Sequence, residues 1–273
     1  MLAWKIIGNP TAQMSRERVD VNSATNDSPL KSLIKGLPLI GATARKLAHL
    51  PVVMRARRLT FTGSTAFWEA TYRKGVARQA CPGSRGRLAE FKAEILNEFV
   101  RRQNIRTVIE FGCGDGSQLQ LGQYPEYVGV DVAASAIAVC KSRFVHDSTK
   151  RFYRADALPE DMAQFDLALS LDVIYHLIED DVFEAHMKRL FGSSRRYVAI
   201  YASNHDAWVE AFHVRHRKFT VWIEEKARGW RPDGFVANRF PFDPSCPNDT
   251  SFANFYFYAR QAPDTSSEAG TPR

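Results

Sequence analysis

Cysteine is scarce in this chain, with four residues, Cys81, Cys113, Cys140 and Cys246, and none in a C-x-x-C pair. That excludes a disulfide framework and a zinc ribbon and points to a reducing compartment. Long apolar runs are also missing: stretches such as 36–44 and 200–202 fall far short of the ~20 residues that cross a bilayer. The first ten residues lack the basic start, apolar stretch and small-residue cleavage site of a secretory leader, so a cytoplasmic location is expected. Glycine is absent at one telling position. The turn 110–116 reads Glu-Phe-Gly-Cys-Gly-Asp-Gly, and a dinucleotide fingerprint requires a glycine at 117, where Ser117 stands.

The composition is globular, with 45% hydrophobic and 25% charged residues over 273 positions, enough for one large domain and an extension. The net charge of +7 suggests a polyanion partner until it is located. Residues 1–60 hold ten Lys and Arg against Glu17, Asp20 and Asp27, whereas residues 61–273 hold 27 of each sign. The body is neutral, so nucleic-acid binding is not expected of it, and the basic character belongs to an N-terminal extension over 1–60. Within it, residues 31–59 interleave seven basic residues with leucine, isoleucine and valine and contain no acidic residue. Such a segment either lies on an anionic membrane surface, which would place the protein peripherally at an inner membrane, or packs on its own domain. Residues 11–29 and the tail 261–273 read as disordered.

Between these ends the pattern alternates. Leu88, Phe91, Ile95, Leu96, Phe99 and Val100 mark an amphipathic helix over 85–103, with Ser84 as N-cap. Strands are predicted at 107–111, 127–131, 152–155, 165–171 and 197–201, with helices at 133–144 and 181–191 and a further helix placed after the glycine turn. Repeated βα units of this kind give a Rossmann-like α/β domain over 61–260, with a mostly parallel sheet and helices on both faces. Further on, a helix over 219–226 and strands over 234–240 and 252–258 close the sheet antiparallel.

The charges at the strand ends indicate a ligand. Glu110 and Asp115 bracket the turn and would repel a pyrophosphate but attract an ammonium or sulfonium group. Asp131 ends the next strand, 21 residues on, where a carboxylate accepts hydrogen bonds from ribose hydroxyls. Asp156 and Ala157 follow the third strand, beside the place of an adenine amino group. A positively charged nucleoside, S-adenosylmethionine, meets these demands.

Four segments in order, E-F-G-C-G-D-G, Y-V-G-V-D, R-A-D-A-L-P and F-D-L-A-L-S-L-D, resemble the class I S-adenosylmethionine-dependent methyltransferases, over about 85–201. The resemblance implies a seven-stranded sheet, methyl transfer, and cofactor contacts from Gly112, Cys113, Gly114, Val132 and Leu171 beside the acidic residues named. Phe67-Trp68-Glu69 and Tyr72-Arg73-Lys74-Gly75 resemble the lid that precedes the core in relatives, with Tyr72 either over the cofactor or in ordinary packing. Residues 76–83 depart from the glycine-rich stretch expected there.

A hydroxyl acceptor needs a base beyond the fourth strand. His176 is placed for that role, with Asp172 and Tyr175 beside it; the alternative is that His176 caps the next helix or packs on the sheet. Asn204, His213, Arg215, His216 and Arg217 form a cationic group that either grips a phosphate or carboxylate or is a solvated face. His213 and His216 with Asp172 are an alternative metal set, but no metal is assigned. The runs D-V-I-Y-H-L, H-V-R-H-R-K-F-T-V-W-I and T-S-F-A-N-F-Y resemble a bacterial subgroup associated with surface polysaccharide synthesis. The expected acceptor is thus a hydroxyl or phosphate of a bacterial glycan or other small molecule. An RNA methyltransferase using the basic arm, and a non-catalytic cofactor-binding module tethered to membrane, are the competing readings.

Overall fold

A computed structural model describes residues 61–75, 82–208, 211 and 213–261. The basic extension with its membrane segment 31–59, and the tail beyond Gln261, lie outside the described residues. A helix α1 (Ser64–Arg73) precedes α2 (Gly86–Arg102). Strands β1 (Thr107–Phe111), β2 (Glu126–Asp131), β3 (Lys150–Arg154), β4 (Phe165–Leu171) and β5 (Ser194–Ala202) follow, with α3 (Ala134–Arg143) between β2 and β3 and α4 (Asp180–Gly192) between β4 and β5. A short antiparallel pair, β6 (Ala207–Trp208) and β7 (Arg215–His216), precedes α5 (Phe219–Lys226), β8 (Trp230–Val236) and β9 (Asn254–Arg260).

The seven-stranded sheet has the order β3-β2-β1-β4-β5-β9-β8, and within it β9 alone runs against its neighbours. Period-2 alternation in the strands divides the core into two layers. Val108 on β1 and Leu167 and Leu169 on β4 face α2 and α3, meeting Leu96, Phe99 and Ile137. Ile109 and Ala168 face the other way, toward Met187 and Leu190 of α4 and Phe219 of α5. Both sheet faces are therefore covered, as a parallel sheet requires. Strand order reverses between β1 and β4, and such a reversal opens a crevice at the carboxyl ends of the strands.

Three local expectations are corrected. Arg85, without a side-chain cap, is the N-cap of α2, because Ser84 is taken into a single 3-10 turn over Pro82–Ser84. The glycine turn leads into only one 3-10 turn, Leu119–Leu121, because Gly122 and Pro125 follow too closely for an α-helix. Strand β8 starts at Trp230, four residues earlier than expected. It is an edge strand whose irregular register between Pro232 and Gly234 accommodates the proline that local patterning rejects.

Candidate active site

The crevice holds a cleft of about 1000 Å³. Its floor on one side is the glycine turn. Gly112 has φ +86° and Gly114 φ +56°, both in the region that favours glycine. A Cβ on Gly112 would stand 2.3 Å from Cγ2 of Val173, and one on Gly114 2.5 Å from the Tyr72 hydroxyl. Any side chain at either position would fill the space between the turn and its surroundings. Tyr72 thus sits over the turn. Its helix α1 is held to the far side of the cleft by Ser64, whose backbone N–H donates to Glu179 at 2.8 Å.

Asp131, at the end of β2, accepts hydrogen bonds from the backbone N–H groups of Gly114 and Ala133, each at 2.9 Å. Burial raises its pKa against those donors. Cys113, Val132 and Leu171 also line the cleft.

The two acids that bracket the turn are more self-contained than the sequence suggested. Glu110 is buried and accepts from the Tyr127 hydroxyl at 2.6 Å; burial pushes its carboxyl up to about 7, against that hydrogen bond and the Lys92 charge. Asp115 is ion-paired with Arg85 at 3.0 Å and lies 3.6 Å from Arg143. Burial opposes the Asp115 charge, but hydrogen bonds from Ser117 and the charges of Arg143 and Arg85 outweigh it and hold the carboxyl below its usual range. Asp156 and Ala157 do not line the cleft: Asp156 is 61% exposed and ion-paired with Arg154, while Ala155, one residue earlier, lines it. The reason is that β3 ends at Arg154 and the chain turns there, carrying the next side chains outward.

On the opposite side Asp172 follows β4 in a left-handed conformation, φ +59°. Its carboxylate accepts from the Tyr175 hydroxyl at 2.7 Å and from Lys92 Nζ at 2.6 Å. Lys92 is fully buried and was missed in the sequence reading, although the signal was present: it lies between Leu88 and Ile95 on the apolar stripe of α2. His176 sits in a 3-10 turn over Ile174–His176, its ring 4.7 Å from Trp68 and stacked 5.7 Å from His213. Its Nδ1 is 3.1 Å from the His213 carbonyl. A carbonyl only accepts, so Nδ1 carries the proton and Nε2 carries the lone pair. Burial lowers the His176 pKa to about 4, against that carbonyl and the Asp172 charge. The ring is neutral at neutral pH.

The cationic group divides. His213 and His216 line the cleft, both held by burial at about 3. Arg215, Arg217 and Asn204 do not. Arg215 and Arg217 both pair with Asp180, at 2.9 and 2.5 Å, and Arg217 donates to the carbonyls of Leu177 and Ile178 while covering the Phe183 ring. Asn204 bonds Thr220 at the start of α5. These three side chains fix the loop before α4 and the start of α5, and the expected anion grip is not formed. Among the described residues no cluster of three or more His, Cys, Asp or Glu side chains is arranged to hold a metal. Two further rings stand outside the expected site residues, Phe242 and Phe252, which stack at 3.8 Å beside the cleft; Phe252 precedes the last strand, which starts at Asn254 and not at 252. They come from the segment between β8 and β9, and nothing in the local pattern distinguishes them from core aromatics.

Residues 109–198 match the family described as "Methyltransferase domain". This stretch is a methyltransferase domain. The fold agrees. Magnesium protoporphyrin IX methyltransferase (ChlM) from Synechocystis PCC 6803, solved with bound SAH, superposes with a TM-score of 0.56 at 13% identity, covering 72% of this chain and 99% of that one. The same enzyme with bound SAM gives a TM-score of 0.54 at 14% identity, over 74% of this chain and 99% of that one. SAM-bound CalS10, an amino pentose methyltransferase from Micromonospora echinaspora, gives 0.50 at 12% identity, over 68% and 97%. No curated protein matches the chain by sequence. In the methyltransferase domain the glycine turn, Asp131 and Val132 are the residues that fit the nucleoside donor: a turn without side chains and a carboxylate at the strand end.

Proposed function

We propose that this methyltransferase alkylates a hydroxyl of an uncharged small acceptor, with His176 as the general base. The observation that carries the reading is the tautomer of His176, a neutral imidazole with its Nδ1 proton directed to the His213 carbonyl and Nε2 left as acceptor, in the same cleft as the glycine turn. S-adenosylmethionine, when bound, supplies an electrophilic methyl group. What the protein adds is alignment and proton removal. Lys92 and Tyr175 fix the Asp172 carboxylate, and the Asp172 charge favours the imidazolium that forms as His176 takes the proton.

A phosphate or carboxylate acceptor, one branch of the sequence reading, has lost its support, since Arg215 and Arg217 are committed to Asp180. A neutral glycan hydroxyl stays within the proposal. The solved neighbours act on a magnesium protoporphyrin and an amino pentose, and the cleft volume suits a donor together with a small acceptor. No described helix is long and apolar enough to cross a membrane. Replacing His176 by Ala is expected to lower kcat about 10² to 10⁴-fold while S-adenosylhomocysteine binds as to the parent in calorimetry. Unchanged turnover would remove the base from this mechanism.

A further inference from the structure

We propose that the acceptor is a planar aromatic compound bearing a hydroxyl group, a phenol in the broad sense, held against a wall of rings on the β4 and β7 side of the cleft. The inference rests on the assignment of that side to the acceptor and goes beyond it by naming the chemical class.

The wall is continuous. The Trp68 ring meets His176 edge-on at 4.7 Å, His176 meets Tyr175 at 4.6 Å, Tyr175 meets His216 at 5.9 Å, and His216 meets Phe252 at 5.4 Å. Phe242 stacks on Phe252 and extends the series. All six rings line the cleft, and Phe242, Phe252, Trp68 and Tyr175 are only partly buried, so they retain apolar surface for a ligand to cover. Flat ligands gain from such surfaces through stacked and edge-to-face contacts.

The wall's polar atoms are largely committed within the protein. Nδ1 of His176 bonds the His213 carbonyl, Nδ1 of His216 bonds Ser203 at 2.5 Å, and the Tyr175 hydroxyl donates to Asp172. Apart from Asn248, Thr250 and Ser251, which also line the cleft, a polyhydroxylated acceptor would find few partners along the rings, and each unpaired group weakens binding. Lys92 is spent on Asp172, and burial keeps His176, His213 and His216 neutral. Among the described residues the cleft's other cations are already engaged, Arg85 by Asp115, Lys188 by Glu184 and Arg189 by the Ala155 carbonyl. A phenol needs one polar contact, at the hydroxyl that reacts. In the transfer the phenolic oxygen bonds the methyl carbon as the carbon–sulfur bond breaks, its electron pair passing to sulfur, and the phenolic proton goes to Nε2 of His176.

The test uses the full chain saturated with S-adenosylhomocysteine and titrated calorimetrically with 2-naphthol, 4-methylumbelliferone, glucosamine and glucose 1-phosphate. The two phenols are expected to bind at least about tenfold more tightly than either sugar. Phe242→Ala and Phe252→Leu should each weaken the phenols at least about fivefold, with S-adenosylhomocysteine affinity within twofold of the parent and melting temperature confirming the fold. Tighter binding of either sugar, no phenol binding up to millimolar concentration, or phenol affinity unchanged in both variants would overturn the proposal. Failure of the parent to bind S-adenosylhomocysteine would instead strike at the donor site and the methyltransferase reading beneath it.

Discussion

The two sides of the cleft are built on different principles. On the β1 and β2 side, backbone does most of the work: two glycines with positive φ, and a carboxylate held by two peptide N–H groups at the end of a strand. On the β4 and β7 side, side chains do it: rings from α1, the turn after β4, β7 and the segment between β8 and β9 meet in one wall. The first kind of site is dictated by residues a few positions apart. The second is assembled from segments up to 184 positions apart, from Trp68 to Phe252. Under the proposed assignment, a donor common to a whole family is met by a local device, whereas an acceptor particular to one enzyme needs a surface that can vary without disturbing the turn.

The sharpest way to separate the two sides is to disable one alone. Asp131→Ala removes both the carboxylate at the donor side and the anchor of the Gly114 N–H. S-adenosylhomocysteine binding is expected to fall by about 100-fold or more, about 3 kcal/mol, with Asp131→Asn less affected. Calorimetry measures it, and near-parental affinity in the alanine variant would contradict the assignment. On the acceptor side, Lys92→Met leaves the Asp172 carboxylate in the cleft without its cation. Breaking such a pair costs about 3 kcal/mol, and addition of Asp172→Asn should recover most of it. Urea unfolding of the two variants distinguishes a charge effect, which the second substitution repairs, from a packing effect, which it does not.

Acidity sets the two sides against each other. His176 and His186 are held at about 4, and His213 and His216 at about 3, all below the ordinary 6.5. The unfolded chain therefore takes up more protons as pH falls through 6.5, and the stability these neutral rings confer, complete above that value, is lost toward pH 4. Glu110, at about 7 against an ordinary 4.5, acts oppositely: the folded state holds its proton across that window, so this group favours folding as pH falls from 7. Each proton is worth about 1.4 kcal/mol per pH unit, and four histidines outnumber one carboxyl. The net expectation is a fall in unfolding midpoint on acidification from pH 6.5 to 4.5, steeper in Glu110→Gln. A midpoint that is flat or rises on acidification would show that the histidines are not buried neutral.

The smallest effect is expected at Arg215. Its partner Asp180 is 77% exposed and also holds Arg217, so Arg215→Ala should cost at most about 1 kcal/mol and change turnover less than twofold. A large loss of acceptor affinity would restore the anion grip that the structure dissolves.

Legibility followed the same division. β1 and β4 lie where alternation and flanking turns put them, at 107–111 and 165–171, because strands buried on both faces are short apolar runs with sharp ends. The glycine turn and Asp131 come together in the cleft, as their places in the sequence imply, because strand ends at a topological switch converge whatever the rest of the chain does. For Arg215 and Arg217 the sequence left an anion grip and a solvated face open, because charge alone does not reveal a partner 35 or 37 residues away. Lys92 was passed over because a lysine on an apolar stripe declares itself only when Asp172, 80 residues on, comes within 2.6 Å.

The order of apolar residues and glycines along the chain was thus enough to determine the sheet and the turn, since each depends on dihedral freedom and hydrogen bonding among near neighbours. Tertiary structure decided which charges remain available to a ligand and which rings face the cleft. Those properties depend on burial and on long-range pairing, and a buried ion pair or a stacked ring exists only once distant segments have closed upon each other.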